Sequence, residues 1–477
     1  MTAHTTPPVA ARIARSAAAL ETPTAPLAGF HRWWEEARAA DDSRVERIPF
    51  EDLRSWGFAP GTGNLVHDSG RFFSVEGLSA HRPGAPVPRW SQPIVHQPET
   101  GILGILAKEF DGVLHFLMQA KMEPGNHDGI QLCPTVQATL SNYTRVHQGG
   151  SVPYVERFLR LDPDRRRVLA DVLQSEQGSW FYRKRNRNMV VEVTGDIEVR
   201  DGFRWVPLGQ LHHLLAVEDL VNMDARSVLA CLPYPFAGTP PEGSREPGTA
   251  LLSHLTEARS LERLTAERVP LAGLPGWRRG PDSISREDGA FFSIVAVDVR
   301  TGGREVRGGW VQPLLQPHGQ GVSALVTRRA GGVRYVLASL RAEPGCATGL
   351  EIGPTVQCTP GNYAHLPAEA RPPLLDEVLA TPADRVLYDT VLSEEGGRFR
   401  HARSRYLIVE ADAHGGPYDA RHDGPYGTPC TQWIPLGELL GLLRHGGYVN
   451  VEARTLIACL QSVCGPEDRR TTDEKGV

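Results

Sequence analysis

Cysteine is scarce in this 477-residue chain: seven residues, an odd number, scattered as Cys133, Cys231, Cys346, Cys358, Cys430, Cys459 and Cys464 with no Cys-x-x-Cys spacing. That pattern excludes a disulfide framework and a zinc ribbon, and reads as reduced thiols in a cytosolic protein. No run of eighteen uninterrupted apolar residues occurs, so a membrane-spanning helix is excluded. Positive charge is not in excess either. With 51 Lys and Arg against 56 Asp and Glu the net charge is −5, which offers none of the basic field that nucleic-acid binding draws on. Three chemical signatures are also missing: Gly-x-Gly-x-x-Gly after a strand, Gly-x-x-x-x-Gly-Lys-Ser/Thr, and His-Glu-x-x-His. A Rossmann dinucleotide site, a P-loop and a zincin site are set aside on that ground. Any reaction is expected to run without a cofactor and without a metal site.

What the chain does have is itself, twice, with a register close to 220 residues. Glu46-Arg47-Ile48-Pro49 through Trp56 returns as Glu267-Arg268-Val269-Pro270 through Trp277, and Trp90-Ser91-Gln92-Pro93 returns as Trp310-Val311-Gln312-Pro313. Glu123-Pro124-Gly125 answers to Glu343-Pro344-Gly345, Pro134-Thr135-Val136-Gln137 to Pro354-Thr355-Val356-Gln357, and Val221-Asn222-Met223-Asp224-Ala225-Arg226 to Val449-Asn450-Val451-Glu452-Ala453-Arg454. One domain has been duplicated and fused. The expected division is a flexible leader over 1–27, a first repeat over 28–233, a Pro- and Gly-rich linker over 234–248, a second repeat over 249–466 and a flexible tail over 467–477.

Each repeat is expected to open with a helix and to continue with a hairpin, 101–110 with 113–119 and 322–328 with 333–340, around Asp111-Gly112 and Ala330-Gly331-Gly332. Capping chemistry predicts a helix over 162–176 and its partner over 382–394, then strands over 180–193 and 399–411, then second helices over 208–216 and 436–444. The fold class is α+β, a mixed sheet with flanking helices in each repeat.

Duplication supplies a two-row comparison. Residues kept in both copies serve the fold or a shared ligand, and residues of one copy alone are candidates for chemistry. The densest polar segment, Gln119, Lys121, Glu123, Asn126, His127 and Asp128, reads Ser339, Arg341, Glu343, Cys346, Ala347 and Thr348 in the second copy. His127 is either a proton-transfer group or a solvated loop residue, and Lys121 loses proton-transfer ability in its replacement by Arg341. Strand alternation would place Arg183, Arg185 and Arg187 on one face, with Arg403 and Arg405 in the second copy. The row suits a diphosphate, and it equally suits a solvated strand edge. Trp180, replaced by Arg398, is a candidate for stacking on a base. Tyr143 and Tyr363 each follow an Asn, and Glu192 recurs as Glu410 inside a strand, where an inward carboxylate is either a base or a partner in a salt link.

The runs Phe116-Leu-Met-Gln-Ala-Lys-Met-Glu-Pro-Gly-Asn-His127, Pro134-Thr-Val-Gln-Ala-Thr139, Ser141-Asn-Tyr-Thr-Arg-Val-His147 and Gln174-Ser-Glu-Gln-Gly-Ser-Trp-Phe-Tyr-Arg183 resemble the NDP-hexose 2,3-dehydratase family of deoxysugar biosynthesis, from about Phe30 to Leu460 and through both copies. The resemblance implies tandem Nudix-like repeats, a homodimer and a thymidine-diphosphate 4-keto-6-deoxy-glucose substrate. It also implies loss of the C3 proton and the C2 hydroxyl to give a 3,4-diketo-2,6-dideoxy sugar. Under it, Glu123 or Glu192 is the base, Lys121 stabilises the enolate, and His127 or Tyr143 is the acid. Arg183, Arg185 and Arg187 would hold the diphosphate, Trp180 would lie near the thymine, and Gln119, Gln137, Asn142 and Arg145 would complete the first-repeat site. Glu343, Tyr363, Arg403 and Arg405 would line its counterpart in the second repeat. Leu173–Gly178 and Leu392–Gly396 lack the upstream Arg-Glu pair of a Nudix metal box, which disfavours diphosphate hydrolysis. The rival readings are a non-catalytic nucleotide-sugar binder and a Nudix-type diphosphatase.

Overall fold

The computed structural model describes residues 7–139, 152–159, 166–237, 239, 246–301, 309–412, 416–420 and 430–465. In the first repeat, strands Gly101–Phe110 and Val113–Met122 form the expected hairpin. Asp111 and Gly112 both take positive φ, 48° and 78°, the backbone a tight two-residue turn between right-twisted strands demands. Strand Arg185–Val193 runs parallel to Gly101–Phe110, and Arg166–Ser175 pairs antiparallel to it at the edge. Phe203–Pro207 closes the other side, and Ile130–Cys133 and Val136–Ala138 complete a seven-stranded mixed sheet. The second repeat rebuilds this sheet from Gly321–Ala330, Val333–Arg341, Glu351–Gly353, Val356–Cys358, Val386–Ser393, Arg403–Glu410 and Thr431–Pro435.

Helices Met223–Ala230 and Val451–Val463, capped by Asn222 and Asn450 accepting from the N–H groups of Ala225 and Ala453, are buried, the first throughout and the second from Val451 to Gln461. They pack on each other, so one core joins both repeats. Arg226 and Arg454, both fully buried, cross between the copies: Arg454 Nη2 donates to the Ser175 carbonyl at 2.6 Å, and Arg226 Nη2 to the Ser393 carbonyl.

Two smaller sheets of five strands are built by exchange. Arg44–Ile48 of the first copy pairs with Phe292–Arg300 of the second, and Thr265–Val269 of the second pairs with Ser74–His81 of the first. Each copy therefore completes a sheet of the other, and the contiguous halves of the chain are not separate structural units.

Four expectations change. Residues 166–175 and 386–393 are strands, not parts of helices. Val386, Tyr388, Thr390 and Val391 favour extended backbone, and each segment has a neighbouring strand whose ladder outweighs local helix propensity. The strand expected from 180 begins at Arg185. The leader contains a helix, Val9–Ala18, whose Arg12, Ile13 and Ser16 share one buried face; Ser16 Oγ donates to the Leu114 carbonyl at 2.6 Å and accepts from Leu208 N at 2.9 Å. Within the expected linker, Tyr234 and Phe236 are buried, and Tyr234 Oη donates to the Gln461 carbonyl at 3.1 Å.

Candidate functional site

The two Glu-Pro-Gly loops are where the copies meet. Gly125 N donates to the Gly396 carbonyl at 2.7 Å and the Gly125 carbonyl accepts from His401 N at 2.7 Å; in the mirror arrangement Gly345 N donates to the Gly178 carbonyl at 2.6 Å and its carbonyl accepts from Arg183 N at 2.7 Å. A Cβ at Gly125 or Gly345 would be driven into the carbonyl of Phe399 or Phe181, so only glycine allows this approach. The loop after each edge strand thereby reaches into the other copy's site, and each site is assembled from both repeats.

In the first site Glu123 is buried and accepts from Gln137 Nε2 at 2.7 Å, while Asn222 Nδ2 donates to Gln137 Oε1 at 3.4 Å. The second site repeats the chain: Gln357 Nε2 to Glu343 Oε1 at 3.3 Å, and Asn450 Nδ2 to Gln357 Oε1 at 2.8 Å. Around Glu123 stand Glu176 and Asp224 of the first copy and Glu395 of the second. Burial, then the charges of Glu176, Glu123 and Glu395, hold Asp224 well above the ordinary carboxylate range, against the opposing pull of Lys121. Burial and the neighbouring Glu123 push Glu395 up to about 8, with Arg398 opposing. Burial also raises Glu176, against Arg454, Asn186 and Lys184. Lys184, whose Nζ donates to the Glu99 carbonyl, is lowered to about 8 by burial. Arg398 donates from Nε to Gln97 Oε1 at 3.2 Å and lies over the Phe73 ring.

A cleft of ≈ 1500 Å³ opens at the second site, lined by Arg341, Glu343, Gln357, Tyr363 and Glu452 of the second copy and by Trp180 of the first. Trp180 thus stands with the second set, not the first, because its loop crosses the seam; Arg398 takes the equivalent place in the first. Gln119 lies on its strand opposite Cys133, the position Ser339 holds opposite Gly353. Asn142, Tyr143 and Arg145 fall outside the described residues.

The structure does not bring the remaining candidates to this place. His127 is exposed, its ring meeting the edge of His401 at a centroid distance of 5.4 Å. Glu192 is bound by Arg12, with Nη1 to Oε2 at 2.9 Å; it sits six residues up its strand from Asn186, roughly 20 Å away at strand rise. The arginine row is broken. Arg183 lies before the strand with φ 54° and its guanidinium over the Tyr182 ring, while Arg185 is exposed on the strand's first residue. Arg187 and Arg405 are each held at 2.7 Å by Asp171 and Asp389. Arg403 pairs with Asp219 at 2.7 Å and Glu218 at 3.0 Å.

Sequence reasoning passed over Asn222, Asp224, Glu176, Lys184, Glu395 and Arg398. The repeated Val-Asn-x-Asp/Glu-Ala-Arg motif marked the first two. Aligning Glu176-Gln177-Gly178 with Glu394-Glu395-Gly396 would have flagged Glu395 as an acid in one copy facing an amide in the other. Among the described residues no group of three or more His, Cys, Asp or Glu has a metal-holding arrangement, and no helix is long and apolar enough to cross a membrane.

The family model described as NDP-hexose 2,3-dehydratase matches residues 27–232 and 248–460. A dTDP-4-dehydro-6-deoxy-alpha-D-glucopyranose 2,3-dehydratase of Amycolatopsis orientalis is 49% identical over 457 residues, 94% of this chain and 93% of the relative. A protein of the same name from Streptomyces violaceoruber is 49% identical over 445 residues, 91% of this chain and 97% of the relative. One from Saccharopolyspora spinosa is 46% identical over 457 residues, covering 92% of each. A solved ADP compounds hydrolase matches 32% of this chain and 75% of its own at 16% identity and a TM-score of 0.20, a likeness too slight to argue from.

Proposed function

The chain belongs to the NDP-hexose 2,3-dehydratase family and is a hydro-lyase, and we propose that it acts on dTDP-4-dehydro-6-deoxy-D-glucose at the first-repeat site. The observation that carries the assignment of the site is an asymmetry between two otherwise matched constellations. Both contain the Gln–Glu–Asn relay, but proton-capable side chains replace inert ones in the first: Lys121 for Arg341, Glu395 for Gln177, Lys184 for Ala402.

The C4 ketone acidifies the C3 proton. Glu123 is the base, because Gln137 holds one of its oxygens and so fixes the aim of the carboxylate. Lys121, close enough to stabilise the charge of Asp224, is placed to stabilise the enolate oxygen that develops at C4. Departure of the C2 hydroxyl gives an enol, which tautomerises to the 3,4-diketo-2,6-dideoxy sugar. His127, exposed, is a poor acid for this step, and Glu192, tied to Arg12, is a poor base. Tyr143, Asn142 and Arg145 remain part of the proposal as substrate contacts. The second site binds nucleotide through Glu343 and Tyr363 without turnover.

The same reading includes a Nudix-like fold for each repeat, supported by its mixed sheet with helices against it, a homodimer, and a cytoplasmic setting, supported by the few, scattered cysteines without Cys-x-x-Cys spacing. The test is incubation with dTDP-4-dehydro-6-deoxy-D-glucose in deuterated buffer, with and without EDTA, followed by NMR and mass spectrometry. Loss of one water, insensitive to EDTA, is expected. Intact sugar would leave a binding protein, and EDTA-sensitive thymidine monophosphate would make the chain a diphosphatase.

A further inference from the structure

Comparison across the seam singles out one contact. In the second site Gln177 Nε2 donates to Glu394 Oε2 at 3.3 Å. Strand register equates Ser175, opposite Arg185, with Ser393, opposite Arg403; hence Glu176 corresponds to Glu394, and Gln177 to Glu395. In the first site two carboxyl groups therefore stand where an amide and a carboxylate meet in the second. Glu176, only 5% exposed, accepts at Oε1 from Asn186 Nδ2 at 2.7 Å, and its Oε2 is enclosed without a donor. Glu395 accepts at Oε1 from Gly397 N at 3.0 Å, and its Oε2 is likewise enclosed without a donor. Two facing carboxylate oxygens repel and cannot both remain ionised in an enclosed place; a proton between them replaces the amide N–H of the other site.

We propose that Glu395, contributed by the second repeat, carries a proton shared with Glu176 and delivers it to the C2 hydroxyl of a sugar bound in the first-repeat site. The proposal rests on the dehydratase reading above. Glu395 is only partly buried as a residue, and it lies beside Glu123. The groups around it are the carboxyls of Glu123 and Glu176 and the guanidinium of Arg398, with Asp224, Lys184 and Arg454 behind Glu176. The step balances. Glu123 takes the C3 proton, the C2–O bond breaks with its electron pair on oxygen, and the Glu395 proton completes water. Tautomerisation moves the enol proton to C2 with no net change. The enzyme is left with Glu123 protonated and Glu395 ionised, and transfer between these neighbours restores the start. No oxidant or reductant takes part.

The variant is Glu395→Gln, which copies Gln177 and so keeps a donor to Glu176 and the fold. Its kcat should fall about 100-fold or more, with KM and dTDP affinity within about threefold of the parent, and the limb of the kcat–pH profile set by this pair should disappear; Glu395→Asp should recover part of the rate. A kcat within about threefold and an unchanged profile would overturn the proposal. Infrared spectroscopy of the ligand-free protein at neutral pH reads the proton independently: the parent should show a protonated-carboxyl C=O band that Glu395→Gln lacks, and its absence from the parent defeats the idea whether or not the variant folds. If the parent dehydrates nothing, the dehydratase reading fails, while the infrared band still decides the shared proton.

Discussion

Replacing Arg454 with methionine tests the claim that the two copies are latched through their cores. Arg454 is 0% exposed and donates to the Ser175 carbonyl at 2.6 Å, the Val449 carbonyl at 2.8 Å and Ser227 Oγ at 2.9 Å. Methionine keeps most of the apolar stem, so the loss is polar. Ser227 Oγ already donates to Asn188 Oδ1 at 2.9 Å and loses little. The Ser175 and Val449 carbonyls lose their guanidinium donor inside the core, at about 1–3 kcal/mol each. The expected destabilisation is about 4 kcal/mol, a fall in Tm of roughly 4 °C when a chain of this size unfolds as one unit. Urea denaturation followed by tryptophan fluorescence measures it, with Arg226→Met as the mirror variant. Because the copies also exchange strands, the transition should stay single in both variants. A loss below about 1 kcal/mol, or separate transitions for the two halves, would refute the latch.

Gly125→Ala should cost about 2 kcal/mol or more by forcing a Cβ against the Phe399 carbonyl. Gly345→Ala, with its clash at Phe181, should cost a similar amount while retaining far more dehydration, a comparison made by thermal melts beside steady-state rates. His127→Asn should leave kcat within about twofold, since the ring is exposed and, among the described rings, meets His401 alone; a loss of activity with unchanged nucleotide affinity would return His127 to the site. The pH dependence of stability has a definite sign. The carboxyl of Glu395 titrates near 8 when folded and near 4.5 when unfolded, so between those values the folded state binds more protons and this group lowers stability as pH rises. Glu395→Gln removes that slope, and its stability relative to the parent should climb from pH 5 to pH 8 in denaturation series.

Lysine 184 titrates in the opposite sense. Lowered to about 8 by burial, it makes the unfolded state the stronger proton binder between 8 and 10.5, and stability from this group rises with pH there. Lys184→Met, which has no charge to desolvate, should flatten that rise in the same denaturation series.

The duplication, the hairpins around Asp111-Gly112 and Gly331-Gly332, the relay members Glu123 and Gln137 that recur in the second copy, and the family itself were legible in the sequence. Each depends on local backbone chemistry or on residue identity repeated at one register. The strands at 166–175 and 386–393 were not legible, because their apolar spacing satisfies a helix as well as a strand and only the partners Arg185–Val193 and Arg403–Glu410 decide between them. Nor was the fate of Arg12, whose burial depends on Glu109 and Glu192 waiting on two interior strands far along the chain. The site divides along the same line. Identity alone showed that Lys121 and Arg341 differ in what they can do with a proton. That Glu395 of one copy belongs with Glu123 and Glu176 of the other, and Trp180 with Glu343, followed only from the folded seam, since a loop's reach across a pseudo-twofold interface is set by packing that no single stretch of sequence records.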